Sequence, residues 1–179
     1  MKNNYTGLAL GVALALGATT SNADSYGAGV AFQNVKDIDS GVAIVLNADK
    51  TIDSVSDKFS VEGEFTYSVA SPGDEETISG NTLKAEFTIL TLAAYGVYSH
   101  PINEKLSVFG RAGILYESIS TEVCLNSLCA NSDEDETETG LSYGAGFKYS
   151  LSDSMAVRFD YTLIEADVSH LGLGVSMNF

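Results

Sequence analysis

The segment Met155–Phe179 reads MAVRFDYTLIEADVSHLGLGVSMNF, and it alternates twice. Met155, Val157, Phe159, Tyr161 and Leu163 oppose Ala156, Arg158, Asp160 and Thr162. After a short connection over Glu165–Ser169, Leu171, Leu173, Val175, Met177 and Phe179 oppose His170, Gly172, Gly174, Ser176 and Asn178. Successive side chains of a strand point to opposite faces, so a period of two predicts two strands, each with one apolar face.

The same pattern runs backward through the chain. Leu141–Tyr149 places Leu, Tyr, Ala, Phe and Tyr opposite Ser142, Gly144, Gly146, Lys148 and Ser150. Leu106–Tyr116 opposes Ser107, Phe109, Arg111, Gly113, Leu115 and Glu117, less cleanly. Leu83, Ala85, Phe87, Ile89, Thr91, Ala93, Tyr95 and Val97 are read as one face, with Lys84, Glu86, Thr88, Leu90, Leu92, Ala94 and Gly96 as the other. Phe59, Val61, Gly63, Phe65 and Tyr67 oppose Ser60, Glu62, Glu64, Thr66 and Ser68, and two weaker strands precede them near Ser25–Gln33 and Gly41–Asn47. The count is eight, each near the ~9–11 residues that cross a bilayer when tilted, and no internal apolar run approaches the ~20 that a spanning helix needs. In lipid every backbone N–H and C=O must be paired within the protein, so such strands must close. The expected fold is all-β: an eight-stranded antiparallel up-and-down transmembrane barrel.

The connections alternate in character. His100–Glu104 and Leu151–Ser154 are short polar turns, whereas Val69–Thr82 and Ser118–Thr139 are long and acidic. Short turns at one rim and long loops at the other are the outer-membrane pattern, with the long loops outside the cell. Two connections fit poorly: Ala48–Lys58 looks long for a periplasmic turn, and Glu165–Ser169 looks short for an outer loop.

The amino-terminal residues form a separate unit. Lys2, the apolar run Leu8–Ala18 and the small residues of Ser21-Asn22-Ala23 read as a secretory signal peptide, residues 1–23, cleaved after Ala23; a short buried helix is the alternative. The barrel domain is then 24–179. The whole chain carries 9 Lys and Arg against 24 Asp and Glu. Losing Lys2 leaves 8 against 24, a net charge of −16. Such acidity disfavours nucleic acid, whose phosphates need Lys and Arg.

Four groupings could carry chemistry. Glu62, Glu64, Lys84, Glu86, Arg111, Glu117, Lys148, Arg158 and Asp160 all fall on the face assigned to the lumen. An eight-stranded barrel is only just wide enough for its own side chains, so these read as a structural salt-bridge plug; a narrow ion path through the same residues is the alternative. Cys124 and Cys129, an even pair in an exported chain, read as a disulfide stiffening an exposed loop; two thiols alone make a poor zinc site. The run Asp133, Glu134, Asp135 and Glu136, with Asp74-Glu75-Glu76, reads as solvated loop, with weak divalent-cation binding and bridging to lipopolysaccharide phosphates as the sharper alternative. Catalysis has little support. His100 lies in a short turn, His170 reads as a lumen residue near a carboxylate, and neighbouring Ser169 points to the opposite strand face. No catalytic residue, resident metal or cofactor is expected.

The ending Gly172-Leu-Gly-Val-Ser-Met-Asn-Phe179, an alternating strand closing on Phe, resembles the signal that the barrel insertion machinery reads in outer-membrane proteins. Tyr98–Gly113 and Tyr149–Tyr161 resemble the hairpins of the small porin-like outer-membrane β-barrel family, which includes the OmpA-type membrane domain and the OmpX/Ail proteins. The resemblance spans roughly Ser25 to Phe179. It implies location in the outer membrane of a Gram-negative bacterium, contact with lipid and lipopolysaccharide, and a surface or host ligand for the loops. One barrel form serves scaffolds, adhesins, narrow pores and a few enzymes. The expected function is a non-enzymatic envelope scaffold with acidic interacting loops; the alternatives are a narrow porin for ions or small solutes and, behind it, a lipid-modifying barrel enzyme.

Phe179 completes the apolar face of the last strand. Its deletion is expected to lower severalfold the yield of barrel with heat-modifiable gel mobility in outer-membrane fractions; undiminished yield would remove Phe179 as an assembly signal.

Overall fold

The computed structural model describes residues 23–36, 40–78, 81–125, 128–131, 136–165 and 168–179. The proposed signal segment up to Asn22 and the acidic positions Asp133–Asp135 lie outside them. Ten strands form in chain order: β1 Ser25–Val35, β2 Gly41–Ile52, β3 Ser56–Ala70, β4 Gly73–Ile78, β5 Asn81–Pro101, β6 Leu106–Leu125, β7 Leu128–Asn131, β8 Glu136–Ser150, β9 Met155–Glu165 and β10 Val168–Asn178. Eight of them make the wall, each antiparallel to both neighbours in the order β1-β2-β3-β5-β6-β8-β9-β10. The β1–β10 pairing, from Ser25↔Asn178 to Val35↔Val168, closes the ring.

Closure extends past the strands at the turn rim. The Asp24 amide donates to the Asp49 carbonyl, and the Phe179 amide donates to the Asp24 carbonyl. Lys50 bonds the Asp24 carboxylate at 2.6 Å and the Thr51 amide donates to it, which hold that carboxyl below its ordinary range. The Phe179 ring meets Tyr26 edge-on with centroids 5.7 Å apart. The last residue is thus tied by backbone and ring to the first strand, at the seam where chain ends would otherwise leave an open edge.

The turn that looked long in sequence is short. β2 runs on to Ile52 and β3 starts at Ser56, so residues 53–55 make the whole connection. The two long acidic loops are also largely strand. β3 ends at Ala70 and β4 folds back on β5 from Gly73↔Glu86 to Ile78↔Asn81. β6 continues past its last partner in β8, Ile119↔Glu136, and β7 pairs with its tip from Glu122↔Asn131 to Leu125↔Leu128. β5 and β6 therefore rise beyond the wall as a hairpin flanked by β4 and β7, a four-stranded fin standing roughly 20 Å above the rim at ~3.4 Å per residue.

Five of the six wall strands whose alternation assigns them two faces, β3, β6, β8, β9 and β10, face as predicted. The inward positions of β3, β6 and β9 are buried, while Tyr143, Phe147, Leu173 and Met177 stand exposed on the outside. β5 is the exception, and here the sequence assignment is reversed. Ile89, Thr91, Ala93, Tyr95 and Val97 are buried in the lumen, and Leu90, Leu92, Ala94 and Tyr98 face out. Lys84 and Glu86 share the outward parity. They pair with each other at 2.8 Å on the fin, with side chains 46% and 36% exposed, and take no part in the lumen. A charge on that parity is tolerated because the fin stands above the apolar band.

Glycine lets the wall close so tightly. A Cβ added at Gly146 would lie 2.7 Å from both the Phe109 ring and the Asp160 Cβ, and one at Gly29 would lie 2.5 Å from the Leu173 carbonyl oxygen. Real Cβ contacts do not come that close, so these inward positions exclude a side chain.

The β5 orientation is testable. Leu92→Arg places a charge on the outer face at mid-wall and is expected to destabilise the barrel in lipid vesicles by about 2–4 kcal/mol in urea titrations. Lys84→Leu on the fin should change stability little. Equal, small effects would return β5 to the opposite register.

Candidate functional site

Three wall strands deliver charged side chains to one level of the lumen: Glu62 and Glu64 from β3, Arg111 from β6, and Arg158 and Asp160 from β9. Arg111 Nη1 bonds Glu62 Oε1 at 2.6 Å and Glu64 Oε2 at 2.5 Å, and its Nη2 reaches Asp160 Oδ2 at 3.0 Å. Its Nε and Nη2 also donate to Thr162 Oγ1 at 3.1 and 2.5 Å. Arg158 donates from Nε to Asp160 Oδ1 at 2.8 Å and from Nη2 to Glu62 Oε1 at 3.2 Å, and its Nη1 bonds Glu62 Oε2. Glu62 thus accepts from both arginines. No side chain in this set is more than 9% exposed. Buried charges of this kind persist only when they are paired and their remaining donors and acceptors are satisfied.

Aromatic rings cover both cations. Arg111 lies over Tyr95 at 4.4 Å from the ring centroid, and Arg158 over Phe109 at 4.6 Å. Towards the turn rim, Lys148 sits 3.8 Å from Asp49 and 5.6 Å from the Phe109 centroid, and Ser25 donates to Asp49. Towards the loop rim, Ser142 donates to the Leu163 carbonyl at 2.8 Å, which leaves the Tyr95 hydroxyl as donor to Ser142 at 3.0 Å. Ser68 donates to Gln33 Oε1 at 2.6 Å, so the Gln33 amide nitrogen is the donor to His170 Nε2 at 3.1 Å, and that ring nitrogen carries no proton. Ala93, Leu115 and Ile164, with Val168 against them, pack above this layer. The lumen is a filled core of ions capped by apolar groups. It leaves a cavity of about 30 Å³ bordered by Glu64, Asp160, His170 and Asn47, room for about two waters.

Five of the nine residues expected in a lumen network meet: Glu62, Glu64, Arg111, Arg158 and Asp160. Lys148 joins the adjoining Asp49 pair. Glu117 is buried farther along β6, on the loop-rim side of the arginine layer. Lys84 and Glu86 are on the fin. Sequence reasoning missed Asp49, because β2 was read as ending at Asn47; its odd, inward parity with Ala43 and Asn47 was the available signal. Phe109 shares the parity of Arg111 in the sequence, whereas for Gln33 and Tyr95 only the packed interior shows what they touch.

On the fin, Cys124 and Cys129 are directly opposite in the β6–β7 register and are disulfide-bonded. Among the described residues the metal-like grouping is Glu122 with these two cysteines, and the oxidised sulfurs are not thiolate ligands.

The family model of the outer membrane protein beta-barrel domain matches residues 6–179. No curated protein sequence matches the chain. Among solved structures, Neisserial surface protein A has a TM-score of 0.60 at 16% identity, with 87% of this chain and 96% of that chain covered. A major outer membrane protein from Thermus thermophilus scores 0.58 at 12% identity, covering 87% and 99%. Ail, the attachment invasion locus protein of Yersinia pestis, crystallised with the heparin analogue sucrose octasulfate, scores 0.55 at 20% identity, covering 87% and 97%. At these identities the likeness is one of fold.

The ion cluster sets a stability prediction. Arg111→Ala or Arg158→Ala leaves buried carboxylates without a partner and should lower stability by about 3–5 kcal/mol, read from urea titrations in lipid. Pairing Arg111→Glu with Glu64→Arg should recover part of the loss. Single variants as stable as wild type would mean that the cluster contributes nothing.

Proposed function

The chain belongs to the outer membrane protein beta-barrel domain family and resides in the outer membrane, and from that premise we propose that it is a non-enzymatic envelope scaffold. In this reading its lumen is a structural core and its loop rim is the interacting end. The observation that carries it is the filled interior: two arginines held by three carboxylates, ringed by Tyr95 and Phe109 and covered by Leu115 and Ile164. A conducting pore needs an open path, and the close packing of these side chains supports a closed lumen.

The polarity of the wall supports placing the fin outside the cell and the turns at residues 53–55, 102–105 and 151–154 in the periplasm. A start of the mature chain at Asp24 is supported by the bonds that tie Asp24 to Asp49 and Phe179. Phe179 is then available to the insertion machinery at the periplasmic rim. The polysulfated ligand crystallised with Ail is a poor guide to the partner here. Among the described residues only Lys36 and Lys84 supply positive charge at the loop rim, in a chain of net charge −15. The acidic rim fits cationic partners instead.

Planar-bilayer recording tests the reading. Wild type is expected to show near-zero conductance, and Arg111→Ala to raise it as the cluster loosens. Large, stable wild-type channels unchanged by that substitution would replace the scaffold with the narrow-porin reading. Lipid A of expressing cells should keep its mass spectrum; a new acylation or deacylation product would make the protein an enzyme.

A further inference from the structure

On the fin, apolar side chains stand open to water on one face. Two cross-strand rows run over β5, β6 and β7: Leu83–Leu125–Leu128 near the tip and Ala85–Val123–Ala130 one step below. Directly opposed residues of an antiparallel sheet point to the same side, so these six make one patch. Leu83, Val123, Leu125 and Leu128 are 44%, 42%, 50% and 80% exposed. On the same parity below them Phe87 and Thr121 are half-buried, and Ile89 is buried at the mouth of the lumen. A largely apolar track therefore rises from the mouth to the tip. The Cys124–Cys129 bridge ties β7 to β6 and so holds Leu128 and Ala130 in the patch.

Solvent accounts for only one side of this sheet. Above the bilayer both faces meet water, which suits Lys84, Glu86 and Glu122 on the outer side but gives no reason for leucine on the other. Apolar side chains grouped on a water-exposed sheet mark a contact surface. The borders of the patch select the charge of what it contacts. The β4 positions opposite Ala85 and Leu83 are Asp74 and Glu76, so each row starts from an acid. At the foot of the track, Glu117 is in register with the exposed Glu138 of β8. Among the described residues of β4, β5, β6 and β7, no Lys or Arg shares this parity. A second copy of the fin would add its own acids to these and bring no cation on that face to offset them.

We propose that this face docks a cationic amphipathic helix, its apolar stripe on the leucine and valine rows and its Lys or Arg at the acidic borders. The dimensions agree. Ile89 to Leu83 spans about 20 Å at ~3.4 Å per residue, the length of roughly 14 helical residues at ~1.5 Å each. Three strands ~4.8 Å apart present a width of about 10 Å, close to one helix diameter. Helix and sheet then each cover an apolar surface that water leaves exposed, and the opposed charges set which helices are accepted. The assignment rests on the loop rim being the interacting end of the barrel; it makes no demand on the lumen.

The probe is a fluorescein-labelled synthetic peptide of Leu and Lys, roughly 18 residues with every Leu on one helical face, long enough to hold a helix. Its binding to the mature barrel in phosphatidylcholine nanodiscs is read by fluorescence anisotropy against empty nanodiscs, so peptide taken up by lipid is subtracted. Wild type should bind it above the empty-disc level. Leu83→Ser combined with Leu125→Ser should weaken binding about tenfold, the scale of two half-covered leucines. Asp74→Asn combined with Glu76→Gln should weaken it about threefold and flatten its salt dependence. Glu122→Gln, an acid on the opposite face, should change nothing. Heat-modifiable mobility certifies that each variant is folded. A peptide with Glu in place of every Lys, or one of the same composition scrambled so that no face is apolar, should stay at the empty-disc level. The scaffold reading fails separately, through wild-type conductance in planar bilayers, to which anisotropy is blind. No wild-type binding above empty nanodiscs, a loss on Glu122→Gln equal to that of the β4 pair, equal affinity for the Glu or scrambled peptide, or a barrel dimer in native mass spectrometry that the two leucine substitutions dissolve would each overturn the proposal.

Discussion

Every strand of this wall must find a hydrogen-bonding neighbour within the chain, because hydrocarbon offers none. That constraint closes β10 on β1 and joins the ends of the chain through Asp24, Asp49 and Phe179. Closure of eight strands fixes a narrow interior. The interior then dictates glycine at positions such as Gly29 and Gly146, and leaves room for one layer of large side chains at each level. Lipid outside reverses the usual arrangement of a soluble protein: apolar side chains are turned outward and the polar ones are enclosed.

An enclosed polar interior carries its own cost. Taking five ionised groups out of water is compensated only by close pairing and by donors that satisfy the remaining lone pairs. Arg111 and Arg158 meet that demand by each bonding more than one carboxylate while their planar faces rest on Tyr95 and Phe109. The geometry suits guanidinium better than ammonium, since a fork of donors can bridge two acids across a lumen this narrow. Beyond Glu117 and Ile89 the enclosed arrangement stops, and the fin obeys different rules.

On the fin the two faces exchange character. Lumen-side parity, polar at the level of Arg111, becomes apolar at Leu83, Val123 and Leu125; outward parity, apolar at Leu90 and Leu92, becomes charged at Lys84, Glu86 and Glu122. The reason is the solvent. Within the bilayer the outside is oil, and above it the outside is water, so one continuous strand carries two opposite alternation patterns in succession. The Cys124–Cys129 bridge stands on the water side of this sheet and locks β7 to β6.

The amino-acid order alone determined the fold class, the count of wall strands, the facing of five of them and the closing role of the last, because alternation with period two reports directly on which side of a strand meets lipid. It also placed Glu62, Glu64, Arg111, Arg158 and Asp160 on one surface. It failed at β5, where a pattern read without knowledge of the bilayer boundary joined the fin and the wall into one register and carried Lys84 and Glu86 into the lumen. Only the tertiary structure decided where the wall ends and the fin begins, which carboxylate each arginine takes, that Asp49 and Gln33 complete the interior, and that the hydrogen-bond partner of His170 is Gln33. Those choices depend on how eight strands are staggered around the ring, and stagger is set by pairing between residues far apart in sequence, which a strand's own alternation does not encode.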